Sequence, residues 1–206
     1  MATAGYFFTI FVALVLPLAA AVVLATRKKG YIKPFIFGVL TFVVFQVLTR
    51  IPILQMVLPK IFWYNVLTVS HPVLNGLFLA VTAAIFEEFG RYIVMKLFLK
   101  KRRRFYDAVS FGFGHGGIEA ILFVGINTLA TFLMYGTLMA SAENVFLSGV
   151  ERLGTMVFHI FMSVLVMYSV SAKKPIYLVF ALLAHTAVDF FLPQMMRAGV
   201  NIWLIE

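Results

Sequence analysis

Residues 72–104 read PVLNGLFLAVTAAIFEEFGRYIVMKLFLKKRRR, an apolar run of helical length closed by a block of basic residues. A helix crosses the hydrocarbon core with about 20 apolar residues, and this run is long enough to satisfy its backbone hydrogen bonds without water. Glu87, Glu88 and Arg91 interrupt it and are costly there. Working outward, the pattern recurs as apolar runs near 4–25, 35–57, 106–135, 150–171 and 176–192. Basic residues sit at alternate ends: Arg27, Lys28, Lys29 and Lys33 after the first run, Lys96 and Lys100 to Arg104 after the third, Lys173 and Lys174 after the fifth. Under the positive-inside rule these three loops are cytoplasmic.

Composition agrees. The 206 residues are 63% hydrophobic and 12% charged, with mean hydropathy +1.01, which excludes a water-soluble domain. The expected fold is all-α: one integral membrane domain, residues 1–206, with six transmembrane helices in a bacterial plasma membrane. The tail Arg197 to Glu206 is expected on the outer surface or as the start of a seventh helix. Pro59 to Asn65, carrying Trp63 and Tyr64, and Gly136 to Gly149 are expected as external loops. The formal charge of +9 lies at helix ends and points to lipid headgroups, not to nucleic acid. With no cysteine, thiol nucleophiles and thiolate metal sites are excluded.

Four runs, 72–98, 106–135, 150–171 and 176–192, also carry a polar stripe and form the expected core of the site. Glu87 and Arg91, His115 and Glu119, His159 and Ser163, and His185 and Asp189 are each four apart, so each pair shares a helix face. Counted from the cytoplasmic end of its run, each of Glu87, His115, His159 and His185 lies about 9–12 residues in, at a depth of about 14–18 Å. A carboxylate and three imidazoles at one level predict one shared polar site, since an intramembrane ionisable group is functional by default. Glu88 sits about 100° round the helix from Glu87, so one carboxylate faces the site and the other pairs with a neighbour. Glycines 112, 114, 116 and 117 admit another backbone, or an extended substrate, close to His115. His71, before Pro72, is expected to be structural.

Glu-Glu-x-x-Arg at 87–91, Phe-x-x-x-His at 111–115 and His-x-x-x-Asp at 185–189, in this order on successive helices, resemble the motifs of the CAAX prenyl protease and bacteriocin-processing superfamily. Gly-His-Gly-Gly-x-Glu-Ala at 114–120 and the additional His159 resemble its YhfC branch. The resemblance covers roughly residues 72–192 and implies a cofactor-free, glutamic-type intramembrane endopeptidase acting on a membrane-embedded or lipidated peptide. It makes Glu87, the first of the Glu87-Glu88 pair, the base that activates water, His115 its partner, and His185 with Asp189 the oxyanion site, with Arg91, Glu119 and His159 in support. Two departures stand out: the spacing from Glu88 to Arg91 is one residue short, and Asp189 stands where the motif often ends in Asn. An ionised Asp only accepts hydrogen bonds, so Asp189 is expected to set the tautomer of His185, which then donates.

The residues alone allow other devices. His115, His159 and His185 could form a zinc site with Glu87 as base. A non-catalytic scaffold and a proton-coupled transporter also suit midplane Glu, His and Asp.

Overall fold

The structure, a computed structural model, describes residues 2–26, 30–138, 141–201 and 203. The basic residues Arg27, Lys28 and Lys29, and positions 202 and 204–206 of the tail, lie outside the described residues. Among the described residues there are no strands, and six helices are long and apolar enough to cross a membrane. These are α1 (Thr3–Thr26), α2 (Ile32–Lys60), α4 (Pro72–Phe98), α5 (Phe105–Tyr135), α6 (Glu143–Ala172) and α7 (Ile176–Arg197). The short α3 (Phe62–Ser70) lies between α2 and α4.

Local chemistry sets several of the ends. Pro72 opens α4 at a position where its missing N–H costs nothing. At the start of α5 the Arg104 backbone N–H donates to Asp107 Oδ2 (3.1 Å), and the Arg104 guanidinium pairs with the same carboxylate (3.0 Å). That places negative charge where a helix N-terminus favours it. After α7, Gly199 adopts φ +77°, and the Val200 N–H closes onto the Met195 carbonyl at 3.1 Å. Four stretches wind wider than an α-helix: Phe11–Val15, Val43–Arg50, Ile53–Val57 and Ile121–Gly125.

Three boundaries differ from the sequence expectation. The loop expected over Pro59 to Asn65 is a single turn followed by α3, where Trp63 packs edge-on against Phe78. The loop expected over Gly136 to Gly149 is shorter, because α6 already begins at Glu143. Glu151 and Arg152, inside the run expected over 150–171, pair with each other in the folded chain. Finally, α7 continues through Pro193 to Arg197.

The chain divides into two compact units, Met1–Val39 with Arg104–Val164 and Leu40–Arg103 with Leu165–Ile205, so that α2 and α6 each contribute to both. In the first, α5 is packed at backbone distance. A Cβ at Gly114 would stand 2.1 Å from the Phe35 carbonyl oxygen of α2, and one at Gly112 2.5 Å from the Ile160 Cα of α6. Ser110 Oγ adds a bond to the Tyr31 carbonyl (2.7 Å). In the second unit α4 and α7 run in extended contact, and Phe45 of α2 fills the space beside Gly90. Large apolar side chains such as Phe7, Leu48, Phe161 and Leu183 face outward, as a lipid solvent requires.

Candidate functional site

The second unit holds the acidic pair. On α4, Glu87 and Glu88 both lie one turn before Arg91, and all three are buried. The Arg91 guanidinium pairs with Glu88 and, at 3.3 Å, with Glu87 Oε2, so one cation faces both carboxylates. Their roles then diverge. Glu88 Oε1 lies 2.6 Å from Nδ1 of His185 on α7, whereas Glu87 Oε1 accepts from Gln46 Nε2 of α2 at 2.8 Å. Within this unit Glu88 is the carboxylate that meets both Arg91 and His185, and Glu87 the one that meets both Arg91 and Gln46.

Gln46 and Arg50 were not singled out from the sequence. Arg50 Nη1 donates to Gln46 Oε1 (3.1 Å) and Nη2 to the Leu79 carbonyl (2.7 Å), while Nε reaches Thr82 (3.3 Å). The guanidinium therefore fixes which end of the Gln46 amide faces Glu87. The available signal was an arginine and a glutamine four apart inside an apolar run, the same pattern that marked the other helices.

His185 has a carboxylate at each ring nitrogen: Glu88 at Nδ1 and, 3.5 Å from Nε2, Asp189 one turn along α7. The Glu88 side chain is wholly buried and that of Asp189 is 36% exposed. An imidazole so placed can pass a proton between a buried and an accessible carboxylate. Because both nitrogens face carboxylates, His185 is poorly disposed to ligate zinc.

The first unit holds two further imidazoles, His115 and His159. His115 on α5 and His159 on α6 are buried with ring centroids 5.0 Å apart, and each offers a donor nitrogen within 4.8 Å of the other's. Gly112 and Gly116 bring these helices together: a Cβ at Gly116 would lie 3.1 Å from the Cβ and ring Cδ2 of His159. The approach expected of this glycine run is thus made by another backbone. Glu119, four residues after His115, was expected to orient a histidine of its own helix. Instead it crosses to α6, where Oε2 stands 2.6 Å from His159 Nε2 and Oε1 accepts from Arg152 Nη1 at 2.9 Å. Ser163 is buried one turn after His159. His71 is exposed and precedes α4, its backbone carbonyl accepting from the Asn75 N–H (2.9 Å).

Two buried imidazoles, one backed by a carboxylate, are a fitting donor set for a borderline metal ion such as zinc. Metal-bound histidines ordinarily give their second ring nitrogen to a carboxylate or carbonyl.

A model of the YhfC intramembrane metalloprotease family matches residues 12–145 and 137–206. The chain is also similar to the "Uncharacterized membrane protein YhfC" of Bacillus subtilis (strain 168), 31% identical over 203 residues, covering 84% of this chain and 77% of the relative. No solved structure matches.

Proposed function

Because the chain belongs to the YhfC intramembrane metalloprotease family, we propose that this integral membrane protein is a metal-dependent peptidase that cleaves membrane-embedded or lipidated peptides. One observation carries the metal: buried His115 and His159 stand together in the first unit, with Glu119 holding the second ring nitrogen of His159. In the second unit Glu87, whose oxygens accept from Gln46 and Arg91, keeps its expected role as the base that takes a proton from water.

A divalent ion would supply Lewis-acid polarisation of the scissile carbonyl and activation of water near neutral pH. The chain's own residues do the rest. Arg91 neutralises Glu87 and Glu88 inside the membrane, and Gln46 aims Glu87. His185, between Glu88 and Asp189, moves the proton that hydrolysis must deliver to the leaving amine. The basic loops face the cytoplasm in a bacterial plasma membrane, and the surrounding partner is lipid.

The test is metal analysis and cleavage on one preparation. Purified protein in liposomes is assayed against a panel of transmembrane and lipidated peptides, before and after chelator treatment. About one zinc per chain is expected, lost together with cleavage on chelation and restored by zinc, and lost in His115→Ala and His159→Ala. Undiminished cleavage by metal-free protein would instead establish the glutamic mechanism, and protein that neither binds zinc nor cleaves any peptide when zinc is supplied would favour a scaffold.

A further inference from the structure

We propose that Glu119 and Arg152 are positioning residues that aim His159 and thereby set the metal affinity of the site; this rests on the metal reading above. Two independent features of α5 locate the His159 ring. Gly116 leaves room beside it, since a Cβ there would come within 3.1 Å of its Cδ2, and Glu119 Oε2 lies 2.6 Å from Nε2. The two residues are three apart, hence neighbours on one face of α5. A carboxylate this close to Nε2 favours the tautomer with the proton on that nitrogen, which would leave Nδ1 for a metal.

The carboxylate is itself held. Arg152 Nη1 donates to Glu119 Oε1 at 2.9 Å, and the same guanidinium pairs with Glu151, whose Oε1 accepts from Thr155 Oγ1 at 3.0 Å. Glu151, Thr155 and His159 lie at four-residue spacing, one turn apart along α6, so the brace leaves α6 at Arg152, crosses to α5 at Glu119 and returns to α6 at His159. The side chains of Glu119 and Arg152 are only 14% and 13% exposed. A charge at that burial is retained at a cost, and a merely structural contact could be made by apolar residues of similar volume.

The experiment measures zinc affinity by chelator competition and the visible spectrum of the Co(II)-loaded protein, with thermal unfolding in detergent as the control. Replacing a carboxylate behind a ligating histidine weakens metal binding by about 10–100-fold. Glu119→Gln is expected to fall in that range and to change the Co(II) bands, and Arg152→Lys to lose several-fold. Glu119→Asp, which keeps the charge and withdraws it by one methylene, is expected to lose affinity while remaining folded. It carries the test if Glu119→Gln does not fold. His159→Ala separates the two levels. If it abolishes zinc binding while the Glu119 and Arg152 variants bind as the wild type, the brace is wrong and the metal reading stands. If His159→Ala still binds zinc normally, the metal reading fails and the brace with it.

Discussion

Gln46 Nε2 of α2 donates to Glu87 Oε1 of α4 at 2.8 Å, from a stretch of α2 wound with i→i+5 bonding, as when the Ile51 N–H reaches the Gln46 carbonyl. Wide turns of this kind recur at functional sites. Arg50 already occupies the amide oxygen of Gln46, so only the NH2 end can serve Glu87. Gln46→Leu is therefore expected to reduce peptide cleavage by about 10–100-fold, the order of loss when a reacting carboxylate is left misaligned, with helicity by circular dichroism unchanged. Gln46→Glu would set a like charge against Glu87 and should lower the melting temperature further. A Gln46→Leu enzyme with wild-type rates would show that Glu87 needs no such support.

Arg91 compensates two buried carboxylates at once. Breaking a buried ion pair from one side costs about 3–5 kcal/mol, because the partner charge is left uncompensated. Arg91→Met should lose stability of that order in denaturation from mixed micelles, and Arg91→Lys distinctly less. Equal stability of Arg91→Met and the wild type would mean that the pair does not depend on this cation.

For His185, the carboxylates at its two nitrogens predict a split between binding and chemistry. His185→Gln should keep the wild-type zinc content while losing cleavage by about 10²–10⁴-fold, the range for removing a group that transfers a proton. Asp189→Asn should show a smaller loss in the same direction. Zinc lost from His185→Gln would restore the three-histidine site as the better description.

Two glycines make a controlled comparison of packing. A Cβ at Gly112 would meet the Ile160 Cα at 2.5 Å, whereas one at Gly154 meets nothing within 4 Å. Gly112→Ala should destabilise by about 1–3 kcal/mol through overpacking and loosen zinc binding by separating α5 from α6. Gly154→Ala should be neutral or stabilising by up to about 1 kcal/mol from helix propensity. Both are read from unfolding curves in the same detergent.

The helices were legible because apolar length and basic ends are properties of the local chain, and a backbone in lipid has few alternatives to a helix. The apparent start of α6 fell late because Gly136 to Gly149 reads as a loop, whereas the helix already runs from Glu143. Four-residue spacing correctly joined Arg91 to Glu87 and Asp189 to His185, since those pairs lie within one helix. It failed for Glu119, which serves the histidine of the neighbouring helix.

The order of residues by itself determined that this chain is helical, belongs in a membrane, and buries Glu87, His115, His159 and His185 deep along their helices. Periodicity and hydropathy are additive along the chain, and they survive without any knowledge of neighbours. Which partner each polar group takes was decided only by tertiary structure. Glu88 with His185, Gln46 with Glu87, and Glu119 with both His159 and Arg152 are contacts between helices. They depend on how closely glycines let two backbones approach and on how each helix is turned about its axis, and neither quantity is written in the spacing of residues on one helix.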